Sequence, residues 1–104
     1  MNAKSEFLTH IEGEEIICAR IGIEGENYGS KKWFFLKDSF SEDDFKVFCD
    51  SLDFEYDEGY GHQKLFGVIL FKDSYSGRGE YDGSEWWENY KMPTKEQVLG
   101  KPNN

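Results

Sequence analysis

From Ile16 to Ile23 the chain alternates, with Ile17, Ala19, Ile21 and Ile23 on one parity and Arg20 and Gly22 on the other. A period of two rich in β-branched residues predicts a strand. The GENYGS stretch over residues 25–30 is turn chemistry, and the short apolar run Trp33–Leu36 predicts a second strand paired to the first as a hairpin. Ser41 then opens a helix: its hydroxyl can accept from a backbone N–H two or three residues on. Glu42, Asp43 and Asp44 place negative charge at the positive end of the helix dipole. Phe40 before the cap and Phe45 after it have the spacing of a hydrophobic staple. Phe45, Phe48, Cys49 and Leu52 follow as a single apolar stripe, so the helix is expected over Glu42–Leu52, lying on the sheet.

Beyond it, Tyr56–His62 has two glycines and no period and reads as a loop. Lys64–Lys72 (KLFGVILFK) is apolar on both parities, which predicts a central strand covered on both sides. Lys72–Gly79 reads as containing a turn, Arg78–Tyr81 as a strand, and Asp82-Gly83 as a tight turn. Glu85–Tyr90 is a further strand or the continuation of a bulged one, stopped by Pro93. Met1–Phe7 is polar and expected to fray, as is the tail from Gly100. Strands interrupted by a helix read as α+β: an antiparallel sheet of four or five strands in β-β-α-β-β(-β) order, with one amphipathic helix packed on one face. The 104 residues are expected to form a single domain.

Composition narrows the function classes. The chain has 12 Lys and Arg against 21 Asp and Glu, a formal net charge of -9. That argues against direct binding of nucleic acid, which needs clustered cations. The longest unbroken apolar run, Val68–Phe71, is far short of the roughly 20 residues that span a membrane, so no membrane partner is expected. Nine Phe, six Tyr and three Trp supply a core without staples. Cys18 and Cys49 form no redox or metal motif. With no apolar leader, the chain reads as cytoplasmic, with reduced thiols.

The charge is uneven. Nine acidic residues and only Lys46 on the basic side fall between Asp38 and Glu58, and Glu80, Asp82, Glu85 and Glu88 form a second acidic cluster. If helix and C-terminal strand are neighbours, one side is strongly negative. Such a run is ordinarily a solvated, helix-capping face. Its functional reading is a surface, with Glu42, Asp43, Asp44, Asp50 and Asp53, that competes for a basic groove on a host protein, including one that itself binds nucleic acid. His10 and His62 have no partner at metal-ligand spacing, and no nucleophile or phosphate-loop motif is present. The sequence implies no catalytic residue, cofactor or metal.

A second candidate set is aromatic and polar: Tyr56 and Tyr60 in one loop, and Arg78, Tyr81, Trp86 and Trp87 near the end. Trp, Tyr and Arg dominate interface anchors. Structurally, Arg78 would simply pair with an acid and the two tryptophans would point to opposite faces of a strand. The alternative to a binding protein is a small-molecule or nucleotide binder, with hydrolysis as an option. Its pocket would lie between residues 56–63 and 78–87, with Arg78 meeting an anion. Homo-oligomerisation through edge strands is allowed, but nothing in the sequence indicates it.

LDFEYDEGYGHQKLFG (Leu52–Gly67) followed by RGEYDGSEWWE (Arg78–Glu88) resembles a group of small acidic proteins encoded by bacteriophages and other mobile elements. The likeness covers about a third of the chain. It implies a genomic setting rather than a mechanism, and it carries over no functional residue.

Overall fold

A computed structural model describes residues 1–25, 30–57, 63–81, 83–93 and 95–100. The elements run α1 (Ala3–Ile11), β1 (Ile16–Glu24), β2 (Lys31–Leu36), α2 (Glu42–Ser51), β3 (Leu65–Phe71), β4 (Ser74–Tyr81), β5 (Ser84–Lys91) and α3 (Lys95–Leu99). The five strands form one antiparallel sheet in the order β2-β1-β3-β4-β5. The fold is α+β.

Two differences from the sequence reading matter. First, the amino-terminal segment does not fray. Asn2 caps α1 by accepting from the Ser5 N–H at 2.9 Å. Ala3, Phe7 and Ile11, four apart, bury one stripe of a short helix whose other positions are polar apart from the exposed Leu8. Four apolar positions in nine, one of them off the stripe, are a weak sequence signal, but Phe7 is fully buried, edge-on to Phe48 with ring centroids 5.5 Å apart. A buried Phe of this kind is worth about 3–5 kcal/mol over alanine. The chain start is also tied down by a bridge: Ala3 N–H donates to Phe54 O at 3.0 Å and Tyr56 N–H to Met1 O at 2.9 Å. The element order therefore opens on a helix, and the layer over the sheet contains α1 as well as α2 rather than a single helix. Second, β4 starts at Ser74 rather than Arg78. Ser74, Ser76 and Gly77 look like turn residues, yet Ser76 is fully buried in mid-strand, bonded to His10.

The start of α2 is built as its sequence implies. Ser41 and Asp44 form a reciprocal capping box, and Phe40 stacks on Phe45 with centroids 5.9 Å apart. The helix ends at Ser51, with Leu52 as its cap.

Registers divide the sheet into two faces. Ala19, Ile21, Leu36, Leu65, Ile69, Phe71 and Trp87 are buried with residues of α1 and α2 in the core. The other parity holds Phe66, Val68 and Leu70 of β3 beside Trp33, Phe35, Tyr75, Tyr81, Trp86 and Tyr90. Thus β3 is central in the sheet, as its double apolar pattern predicts, but it is not covered on both sides. Its second apolar parity belongs to a face that no described helix covers.

Gly67 lets the β1 backbone and the Trp87 ring of β5 approach β3 closely. A Cβ there would lie 2.5 Å from the Arg20 carbonyl oxygen and 3.0 Å from the Trp87 ring. Backbone cannot yield as a flexible side chain can, so Gly67→Ala is expected to destabilise the protein by about 1–3 kcal/mol. Urea denaturation of the variant beside the parent measures this. An unchanged midpoint would mean the sheet relaxes freely at that point.

Candidate functional site

Arg78 lies on the helix-covered parity of β4, opposite Trp87 of β5. Its side chain is only 1% exposed, and a buried guanidinium requires carboxylates. Two are supplied. Nη1 donates to Glu6 Oε2 of α1 at 2.8 Å, and Nη2 donates to Glu85 Oε1 of β5 at 3.0 Å. Nη2 also donates to the Tyr56 hydroxyl at 3.0 Å, and that hydroxyl donates to Glu6. The guanidinium carbon sits 5.0 Å from the Trp87 ring centre.

Glu85 has a further task. Pairing between β3 and β4 covers only Val68–Leu70 against Tyr75–Gly77. Just before that stretch, the Glu85 carboxylate accepts the backbone N–H groups of Lys64 at 2.6 Å and Leu65 at 2.9 Å. It substitutes for a missing strand partner, since buried backbone donors must be satisfied. Burial, then the hydrogen bond to Glu6, push the Tyr56 phenol well above its ordinary value. For Arg78, burial pulls the value down but the hydrogen bond and charge of Glu6 outweigh it, leaving it raised. Tyr56 and Arg78 are thus kept neutral and charged respectively, and neither is poised for proton transfer.

The charge of Arg78, which the nucleotide-site expectation reserved for an anion, is matched by two carboxylates, and residues 58–62 and 82 of that expected site lie outside the described residues. Glu85 is buried and likewise engaged, accepting from Arg78 and from two backbone N–H groups. Next to the knot, His10 Nε2 is 2.8 Å from Ser76 Oγ, and the His10 ring stacks on Trp87 with centroids 6.0 Å apart. A Ser–His contact suggests a nucleophile. Ser76 has no exposed surface, however, and its other neighbour is the Asn89 amide oxygen at 3.3 Å. Among the described residues no three His, Cys, Asp or Glu side chains converge to hold a metal. Two buried donors, Arg78 Nε and Trp87 Nε1, have no partner among them.

The acidic candidates lie elsewhere. Glu42, Asp43, Asp44, Asp50 and Asp53 are all exposed, on or just after α2. Three have structural partners: Asp44 closes the capping box, Asp50 pairs with Lys4 at 3.3 Å, and Asp53 accepts from Asn2 at 3.1 Å. Glu42 and Asp43 have no ion-pair partner among the described residues. Residues 1–15 and 38–57, which carry α1 and α2, hold twelve acidic and two basic residues, whereas the rest of the chain holds nine and ten. The negative charge is therefore concentrated in the helix-bearing stretches. Of the second acidic cluster, Glu85 and Glu88 lie on β5, at the sheet edge opposite the β2 edge on which α2 packs.

The aromatic candidates are likewise divided. Tyr56, Arg78 and Trp87 belong to the buried knot. Tyr81 (77% exposed) and Trp86 (39%) lie on the uncovered sheet face, so Trp86 and Trp87 do point to opposite sides. Tyr60 falls outside the described residues. Sequence reading overlooked the rest of that face: Trp33, Phe35, Val68, Tyr75 and Tyr90 are all exposed. Two glycines flatten it. The Trp33 indole lies over Gly22 and the Trp86 indole over Gly79, each where a methyl group would collide. Arg20 covers the Trp33 ring at 5.3 Å, and Lys31 the Phe66 ring at 4.6 Å. Between β1, β2 and β3 the face dips into a groove of about 500 Å³ lined by Cys18, Arg20, Phe35, Val68 and Leu70, among others. The signal available in the sequence was an excess of aromatics at both strand parities, more than a one-sided core can hold.

No protein-family model, curated protein or solved structure matches the chain. Among the described residues no helix is long and apolar enough to cross a membrane.

Removing one partner of a buried charge group costs more than the group contributes. Arg78→Met, which conserves length but leaves Glu6 and Glu85 facing each other, is expected to lower stability by about 3–5 kcal/mol. Guanidinium denaturation measures it, and a loss below 1 kcal/mol would mean the knot behaves as a surface ion pair. His10 supplies a pH signature. Burial lowers its folded-state value below the ordinary 6.5, against the opposing pull of Glu6. The unfolded chain then takes up a proton that folded His10 refuses, so the stability His10 contributes is present above pH 6.5 and lost as pH falls through the lowered value. Replacing His10 with Gln should flatten the stability slope below pH 6.5. An unchanged slope would assign it to other groups.

Proposed function

We propose that this is a non-enzymatic binding protein, of the phage or mobile-element kind, that presents its acidic helix layer to a basic surface on a host protein. The observation that carries the reading is the division of charge: twelve acidic against two basic residues in the stretches bearing α1 and α2, nine against ten elsewhere. Net negative charge confined to one layer produces a directed field, which steers association with a positive partner and rejects negative ones. Glu42 and Asp43, exposed and outside the internal ion pairs, are the strongest contact candidates; Asp44, Asp50 and Asp53 add to the field while serving the fold. A groove that normally holds phosphates is the complementary surface, so a nucleic-acid-binding protein is the favoured partner class. Catalysis is disfavoured because the groups most suggestive of chemistry, Arg78, Glu85 and Ser76, are buried and already bonded.

The experiment is capture from host lysate at low salt, followed by titration of the captured partner at two ionic strengths. Affinity is expected to fall steeply as salt rises. The Glu42→Lys/Asp43→Lys double variant, which leaves the capping box and the Lys4 pair intact, is expected to weaken binding by about tenfold or more at low salt. A folded variant with undiminished affinity would overturn the reading.

A further inference from the structure

We propose that the uncovered face of the sheet is occupied by a second copy of this chain, forming a two-fold dimer in which the sheets stack face to face and the acidic helix layers point outward. The first support is area. Trp33, Phe35, Tyr75, Tyr81, Trp86 and Tyr90 each leave 36–77% of their surface exposed. With about 150–250 Å² per large aromatic side chain, and Val68 adding to it, the face presents roughly 600–700 Å². The largest apolar patch of an ordinary monomer is about 300–600 Å², and a stable interface buries about 800 Å² per partner.

The second support is charge. The face carries little of the protein's negative charge: Arg20 and Lys31 lie on its β1–β2 half, over aromatic rings, with Glu24 opposite Lys31 and paired to Lys64, and Glu88 lies on its β4–β5 half. A two-fold axis along β3 sets each half against the other half of the second copy, bringing the two cations over the acid. An isologous contact needs this self-complementarity. The third support is repulsion. Stacked sheets sit about 10 Å apart, with a helix layer outside each, so the two acidic surfaces are several Debye lengths of about 8 Å from one another. Pairing through the β2 edges would instead place two copies of α2 side by side on one side of a continuous sheet, acid against acid. Face-to-face stacking lets a chain of net charge -9 meet itself with its acidic layers held apart. The inference does not rest on the partner proposed above, since its test contains this chain alone.

Sedimentation equilibrium of the full chain is expected to give twice the chain mass of 12.2 kDa in the micromolar range. Phe35→Glu together with Val68→Glu should convert it to monomer with an unchanged far-UV spectrum. Phe35→Glu alone, at a side chain 62% exposed and so outside the core, should raise the dimer dissociation constant about tenfold or more. A folded parent that remains monomeric across that range overturns the proposal. So does a dimer that survives Phe35→Glu unweakened, because another surface then forms it. Quenching of Trp33 and Trp86 by an added single-stranded oligonucleotide, with no dimer present, overturns it in favour of a nucleic-acid platform.

Discussion

One buried cation organises this protein. Arg78 on β4 reaches Glu6 on α1, Glu85 on β5 and Tyr56 in the segment after α2, and Glu85 in turn holds the N–H groups that open β3. No apolar contact specifies position as narrowly, because each hydrogen bond has a direction as well as a distance. A hydrophobic replacement of equal volume can match its stability. It would not place α1 over the β4–β5 hairpin in one register. The knot also explains residues that look like site residues in sequence. An arginine among tyrosines, tryptophans and acids suggests a ligand, and here the ligand of the arginine is the protein itself.

The sheet obeys a second constraint, the number of aromatic residues. Helices on one side can cover only one parity of each strand, and the remaining rings must lie somewhere. They lie flat: indoles over Gly22 and Gly79, Tyr75 against Tyr90 with centroids 5.3 Å apart, cations over Trp33 and Phe66. Glycine in a strand is ordinarily a weakness. Here each one is the floor on which a ring rests. The protein thus has one layer dominated by carboxylates and one dominated by rings, and separate demands on the two do not conflict.

What was legible in the sequence followed from local rules. The Ser41 cap and the staple of α2 and the alternation of β1 are short-range features, and each leads to the element seen; Asp82 of the expected Asp-Gly turn lies outside the described residues. α1 was hidden because a few apolar residues in a short polar stretch, one of them off the buried stripe, do not announce a helix; Phe7 becomes decisive only when Phe48 is beside it. The uncovered face was hidden because a strand apolar on both parities reads as doubly buried, and only topology reveals that both helices named here lie on one side. The candidate site was grouped by sequence proximity. Trp86 and Trp87 show why that fails: adjacent residues in a strand belong to opposite surfaces.

The bond between Glu6 and Arg78 spans 72 positions of sequence. On the ribosome, the first helix therefore emerges long before the cation that fixes it, and Glu6 must remain hydrated until the β4–β5 hairpin is complete. Closing so long a loop is slow, and the topology as a whole favours late, cooperative assembly over stepwise growth. Throughout that interval the parity of β1 and β2 that the helix layer will cover is not yet sealed, and their ring-rich parity lies open beside it. In a crowded cell, the sequence separation of one ion pair thus sets how long the nascent chain depends on chaperones to keep that surface from unwanted company.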